Sequence, residues 1–489
     1  MNDEAYTANS ALYLVMETGS SSALTPGAVV NGVKPKGIVV FSGGSAANNL
    51  VDVFKTVAEN KKCTLSYIIP ISDNGGSSSE LIRVFGGPGI GDVRSRLVRL
   101  IPNDPDHNNS AKTAIKAFFN HRLPKDRDDA RKEWLEIVEA RHALWENISS
   151  AKKELIRSFL NLINLEIVKR IRLSSTFDFS SASIGNLFLT AARLFSGSFE
   201  SSIYLLSSIC SVPPNVSVLP AINTNFSHHI SAGLANGTVI TGQNAISHPS
   251  VPTALQGQLP SPTQETEEHD RIEDANLPGS LPTLRKQYIT FSKADEEDLP
   301  ARIERIWYIN PYGQEIRLAA NPKVVEALKG CQSIIYSIGS LYTSIIPSII
   351  LRGVGEAIAS PEIKHKILIL NSTIDRETGP STAPFSATDF IAAIAKAGAE
   401  SRGITGPVAR SDYTAYVTHL IHLQGPGTPD IDKEELIDLG IETIRLYGRR
   451  LEGESFQRYD EKALIQALEI TTGRRDPRAD RSRRNTSIA

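Results

Sequence analysis

Asp73-Asn74-Gly75-Gly76-Ser77-Ser78-Ser79 places a carboxylate, two glycines and three hydroxyls in seven consecutive residues. A carboxylate in such a segment can hold magnesium, orient a hydroxyl or accept its proton. Hydroxyls and bare N–H groups suit phosphate oxygens. The plainer reading is an Asx-turn with an N-capping serine. Ser42-Gly43-Gly44-Ser45 is a second candidate: glycine lets the backbone approach an anion, and a following helix supplies free N–H groups. A third is Gly86 to Gly91 with Asp92, Arg94 and Arg96, where four glycines in six residues forbid regular structure and Asp92 is expected to cap a helix. An Asp and an Arg there suggest phosphate or ribose binding, against a plain capped helix with a solvent-exposed Arg. A fourth is Ser337-Ile338-Gly339-Ser340-Leu341-Tyr342-Thr343-Ser344. Gly185-Asn186 and Asn371-Ser372-Thr373 add polar groups of the same kind.

These segments need strands to carry them. GIVVFSGG (37–44) and TLSYIIPIS (64–72) are apolar runs, and Leu50, Val51, Phe54, Val57 and Ala58 between them have helical spacing. Strand, helix, strand within about 35 residues is a βαβ unit with a parallel sheet. The pattern returns in 186–195, 216–222, 321–340, 366–373 and 388–398, with 302–310 expected to resume the sheet and 416–423 to end it. The fold expected is a doubly wound, mainly parallel α/β sheet, in which ligands bind at the strand carboxyl ends. All the candidate segments fall at strand or helix ends and would line one crevice.

The rest of the chain divides around that sheet. Residues 1–35 read as a flexible leader, about 104–173 as a helical insertion, and about 249–300 as a disordered loop poor in apolar residues. Residues 425–472 read as a helical extension, and 473–489, with six Arg against two Asp, as a solvated basic tail.

Composition excludes several classes. Lys plus Arg is 52 and Asp plus Glu is 54, giving a net charge of −2, so a globally basic nucleic-acid binder is excluded and no specific nucleic acid is expected. Three distant cysteines leave no disulfide scaffold or zinc finger. The ten histidines show no metal-ligand spacing, G-x-G-x-x-G is absent, and no G-x-S-x-G elbow occurs. No NAD, haem or zinc is therefore expected. With no apolar run of 18 residues and an acidic N-terminus unlike a targeting peptide, the chain is expected to be cytoplasmic and off the membrane.

In this order the segments resemble the CofD/YvcK family, in its larger, fungal-type form. That family comprises 2-phospho-L-lactate transferases of deazaflavin-coenzyme synthesis and YvcK-type proteins that bind UDP-sugars. Its Gly-Gly-Gly-Thr-Gly loop is matched by Ser42 to Ala46, and its Asp-Asp-Gly-Gly-Ser-Ser-Gly by Asp73 to Ser79. Pro-Gly-Asp-Ile-Arg-Asn corresponds to Gly89 to Ser95 with one extra residue, and Gly-Asn-Leu to Gly185-Asn186-Leu187. Gly-Pro-Gly-Ser-Leu-Tyr-Thr-Ser-Ile corresponds to Ser337 to Ile345, and Asn-x-Met-Thr-x-x-x-Glu-Thr, loosely, to Asn371 to Thr378. Asn74 stands where the family has a second Asp.

The resemblance implies a Rossmann-like fold and a nucleoside diphosphate or nucleotide-sugar ligand. For the transferases it implies magnesium-assisted attack of a hydroxyl on phosphorus, with GMP leaving. Asp73 would contact the acceptor or magnesium and Asp92 would order the nucleotide end. Gly43, Gly44, Ser45, Gly75, Gly76, Ser77, Ser78, Arg94, Gly185, Asn186, Gly339, Ser340, Thr343, Ser344 and Asn371 would hold the nucleotide. A homodimer is expected. The two readings are a transferase and a non-catalytic, nucleotide-sugar-binding regulator.

Overall fold

A computed structural model describes residues 37–44, 46–72, 75, 77–102, 111–171, 176–247, 281, 298–450 and 457–473. The leader, and nearly all of the 249–300 loop and the basic tail, lie outside the described residues.

Thirteen strands are present among them: β1 (Gly37–Phe41), β2 (Leu65–Ile69), β3 (Val216–Pro220), β4 (His229–Leu234), β5 (Val239–Thr241), β6 (Ile303–Ile309), β7 (Glu315–Ile316), β8 (Cys331–Tyr336), β9 (His365–Ile369), β10 (His419–His422), β11 (Glu442–Arg445), β12 (Gly448–Arg450) and β13 (Gln457–Tyr459). Seven form one sheet in the order β3-β2-β1-β8-β9-β10-β11, and every pair is parallel. The chain winds from β1 outward through β2 to β3, then from β8 outward the other way. The strand order therefore reverses between β1 and β8, where doubly wound sheets bind ligands.

Burial explains the arrangement. All five residues of β1 are buried, as expected of a central parallel strand covered on both faces. Val51, Val53, Phe54, Val57 and Ala58 bury one side of the helix Val51–Lys61. At the reversal Phe41 pairs with Tyr336, their rings stacked with centroids 5.5 Å apart. The ladder runs one step further: Ser42 N donates to Ile68 O (3.1 Å) and Ser337 N to Phe41 O (3.0 Å). The loops after β1 and β8 thus start side by side.

Two expectations need correction. β6 does not resume the main sheet. It pairs antiparallel with β4 and β7 in a separate four-stranded sheet, ordered β5-β4-β6-β7. Its partly exposed pattern suits a sheet with one solvated face, and hydrophobic alternation does not specify a partner. The main sheet also does not end at 416–423, and residues 425–472 are not simply helical. After the helix Lys433–Asp438, β11 adds a parallel edge strand to β10, and its half-exposed residues hide it from an apolar-run search.

The segment between β2 and β3 carries the helices Ala111–Asn120, Arg127–Val138 and Ser150–Arg170. Asp126 caps the second, accepting from the N–H groups of Asp128 and Asp129 at 3.0 Å. Trp134, Ile137, Val138, Trp145 and Ile148 from this region join the same hydrophobic core as the sheet. No described helix is long and apolar enough to cross a membrane.

Candidate functional site

The loop after β1 is built around a buried arginine. Arg96, on the helix Gly91–Arg99, is fully buried. Its Nη2 donates to Gly43 O (2.9 Å) and Ser42 Oγ (3.2 Å), and its guanidinium lies 4.5 Å above the Tyr67 ring. With its carbonyl held from below, the Gly43-Gly44 backbone turns toward two side chains. A β-carbon on Gly43 would lie 2.8 Å from Ser344 Cβ, and one on Gly44 would lie 2.8 Å from Asp92 Cγ. A side chain at either position would force Ser344 or Asp92 to move. Asp92 does not cap its helix. Ile90 is the N-cap residue, and Asp92 sits in the first turn with its carboxylate on the glycine pair.

Arg94, one turn-edge further on, reaches the other side. Its Nε donates to Asn186 Oδ1 and its Nη1 to Asn120 Oδ1, both at 3.2 Å. Asn186 Nδ2 in turn donates to Ser78 Oγ at 3.3 Å, at the start of the helix Ser77–Phe85 that follows β2. Ser78 N donates to Gly75 O at 3.2 Å. Gly185 makes room for the arginine, since a β-carbon there would lie 2.7 Å from Arg94 Cδ. Arg94 is 7 % exposed, so it is not the solvent-facing arginine of a plain capped helix.

The loop after β8 is clamped from β9. Asn371 Oδ1 accepts from Gly339 N and Asn371 Nδ2 donates to Gly339 O, both at 2.9 Å. Gly339 has φ +141°, a left-handed conformation that a side chain would strain. Ser344 N then donates to Ser340 O (2.9 Å), which brings Ser344 over Gly43. Thr343 departs from expectation. Its Oγ1 donates to Glu377 Oε1 (2.5 Å), and Thr343 N and Tyr342 N donate to Glu377 Oε2 at 3.0 and 2.9 Å. Thr343 therefore has neither its hydroxyl nor its N–H available to cradle a phosphate.

The expected residues thus form one arc: Ser78, Asn186, Gly185, Arg94, Asp92, Gly44, Gly43, Ser344, Gly339 and Asn371, with Ser340 and Gly75 on adjoining turns. Asp73, Asn74, Ser45, Gly76 and the Ser77 side chain lie outside the described residues. Sequence reasoning missed Arg193 and Asn120; it named Arg96 and matched the segment that holds Glu377, but gave neither residue its contacts. Arg193 donates to Gly86 O (2.8 Å), Phe85 O (3.2 Å) and Asn225 O (3.3 Å), fixing the loop that leads to Asp92.

The electrostatics favour an anion. Arg94, Arg96 and Arg193 are all buried, and among the described residues none of them makes an ion pair. Their partners are amides, a hydroxyl, backbone carbonyls and a ring. Burial pushes the Arg94 guanidinium down to about 10, with the charge of Arg122 adding to it and Asp92 opposing. Burial alone pushes Arg193 down to about 10 and is the main cause of the lowered Arg96 value. A buried cation held only by neutral groups is costly unless a counter-charge arrives. Asp92 is the acid that opposes the shifts of Arg94 and Arg96. No group of three or more His, Cys, Asp or Glu able to hold a metal occurs among the described residues.

A cavity of about 840 Å³ lies elsewhere, between β6 and the helix Ala387–Ser401. Its Arg302 is paired with Asp389, and its Arg305 with Glu315 and Glu400.

Comparison with known proteins bears on the family and the fold. A family model described as 2-phospho-L-lactate transferase CofD matches residues 38–445. The chain belongs to the CofD family, and that membership supports a transferase-like role. A Saccharomyces cerevisiae protein described as uncharacterised (YNL011C) is 41 % identical over 417 residues, covering 81 % of this chain and 92 % of that protein. A Bacillus subtilis gluconeogenesis factor is 22 % identical over 414 residues, covering 85 % of this chain and 91 % of its own. A crystal structure of a UPF0052-family protein from Bacillus halodurans superposes with a TM-score of 0.54 at 21 % identity, covering 89 % of this chain and all of that one. This last likeness bears on the fold alone.

Proposed function

We propose that the protein is a CofD-like transferase that moves a phosphorylated group, of the 2-phospho-L-lactate type, from a nucleoside diphosphate donor to a hydroxyl acceptor. The observation that supports this most is Arg94: a buried guanidinium with no ion pair among the described residues, on the helix that also carries Asp92, opening on the Gly43-Gly44 turn at the reversal of strand order. A diphosphate supplies the missing counter-charge. Gly43, Gly44, Gly339, Ser340 and Ser344 would contact its oxygens, and Ser78 and Asn186 would hold its far side.

In the reaction the acceptor oxygen bonds to the phosphorus of the transferred group. The bridging P–O bond breaks, and the nucleoside monophosphate leaves with the electron pair. The acceptor proton passes to a carboxylate, for which Asp73 and Asp92 are the candidates. Magnesium fits the donor set. Asp92 and Ser344 offer hard oxygen ligands against the same glycine pair, and magnesium is commonly held by one or two carboxylates plus phosphate oxygens. Bound there, it would neutralise phosphate charge beside Asp92.

A second reading, a non-catalytic regulator that binds a nucleotide sugar, is favoured by the relatives named gluconeogenesis factor. One experiment separates the two. The protein is incubated with magnesium, guanosine- and uridine-diphosphate-linked donors, and a panel of hydroxyl acceptors that includes a deazaflavin. Release of nucleoside monophosphate supports the transferase. Tight nucleotide binding without release across the panel would leave the regulator.

A further inference from the structure

Glu377 lies on the short turn Arg376–Thr378 that follows β9, and it is 1 % exposed. Asp375 caps that turn, accepting from Glu377 N and Thr378 N at 3.1 Å. The turn is thus fixed before the glutamate reaches across to the loop after β8. There its two carboxyl oxygens take the N–H of Tyr342, the N–H of Thr343 and the hydroxyl of Thr343. These N–H groups open the helical turn Leu341–Ile345, next to Ser344 and the Gly43-Gly44 turn.

We propose that Glu377 is a positioning residue for the ligand. Its carboxyl group fills the donors at Tyr342 and Thr343, so that ligand phosphates are excluded from them. The phosphates are confined to the Gly43-Gly44 side of the crevice, against Ser344. The inference rests on the nucleotide-binding reading above. Two features support confinement over simple packing. Tyr342 points its phenol away from the crevice, donating to Ile303 O on β6 (2.9 Å). On the other flank of the loop, Asn371 already holds both backbone groups of Gly339. With Gly339, Tyr342 and Thr343 anchored, the next residue, Ser344, is held over Gly43.

The test uses the full chain and three proteins: wild type, Glu377→Gln and Glu377→Ala. Affinity for GDP, GTP and a UDP-sugar is measured by calorimetry with magnesium, and melting temperature is measured without ligand. Gln keeps an oxygen acceptor for the two N–H groups, so Glu377→Gln should bind within about threefold of wild type. Glu377→Ala frees the donors and unlocks the loop, and should lose about tenfold or more in affinity, about 1.4 kcal/mol. Rescue by Gln but not by Ala supports the proposal. Glu377→Ala that melts lower yet binds like wild type would show a merely structural glutamate. Tighter binding by Glu377→Ala would show that phosphates are held better at the freed donors than against Gly43-Gly44, so that excluding them does not position the ligand; either result overturns the proposal. Failure of the nucleotide reading looks different, because wild type would then bind none of the three nucleotides.

Discussion

Asp92 rests its carboxylate directly on Gly44: a β-carbon on the glycine would sit 2.8 Å from Asp92 Cγ and 3.2 Å from its Cα. The acid and the turn therefore form one unit, although they are far apart in sequence. Gly44→Ala should push Asp92 aside and destabilise the protein by about 1–3 kcal/mol, the usual range for overpacking. The double variant Gly44→Ala/Asp92→Ala should recover most of that loss, because the obstacle has been removed. Urea denaturation of the two single variants and the double gives the coupling energy. Additive losses would show that the two residues do not press on each other.

Arg94 offers a case where function and stability oppose each other. Among the described residues its hydrogen bonds go to the amide oxygens of Asn186 and Asn120, with the charge of Asp92 acting from the same helix. Arg94→Met keeps the length and removes the charge. Without ligand, stability should change by less than about 1 kcal/mol, because the lost hydrogen bonds are offset by relief from burying a bare cation. Nucleotide affinity should fall by about tenfold or more, since charge-assisted contacts to phosphate are the strong ones. The measurement is the thermal shift on adding GDP. A variant that melts far lower without ligand would mean that Arg94 is chiefly structural.

How much of this the sequence disclosed depends on the range of the interaction. The strand ends carrying Gly43, Ser78 and Gly339 were legible because strand, turn and helix are local patterns. Their convergence followed from the rule for parallel sheets. Arg193 is not legible, and Arg96 is legible only as a candidate without its burial, because an arginine on a helix reads as a solvated side chain until tertiary packing buries it. The contact of Glu377 is hidden for a similar reason: 34 residues separate it from Thr343, and nothing in either segment states that one saturates the other. The same limit placed β6 in the wrong sheet. Its alternation gave the strand, but only pairing with β4 gives the partner.

Stability should depend on pH through Glu377. Burial, and then the neighbouring Asp375, push its carboxyl up to about 8 from an ordinary value of 4.5. Between those values the unfolded chain has lost the proton while the folded protein still holds it. Stability therefore falls as pH rises through that window, by up to about 1.4 kcal/mol per pH unit. Below the window both states are protonated and the penalty is absent; above it the penalty is fully present. Glu377→Gln cannot ionise and should flatten this slope. Denaturation midpoints measured across the window for both proteins decide the matter, and equal slopes would assign the pH dependence to other groups.

The last prediction concerns the sign of Asp92's effect on binding, which differs with and without magnesium. Asp92 lies against the turn where a diphosphate is proposed to sit, so without a cation two negative charges meet there. Asp92→Asn keeps the shape and removes that repulsion. In magnesium-free buffer the variant should bind GDP more tightly than wild type, by about threefold to tenfold, the scale of one like-charge contact near a protein surface. With magnesium the order should reverse. Wild type gains affinity because the carboxylate becomes a ligand, and the amide, a weaker donor to a hard cation, gains little. If the protein is a transferase, release of nucleoside monophosphate should also fall by about 10²-fold in Asp92→Asn, even at saturating donor. Calorimetry in the two buffers reads the first effect and product release the second. A variant that binds more weakly in both buffers would place the phosphates away from Asp92. A reversal of affinity with no turnover in either protein would favour the regulator, with Asp92 as a binding residue only.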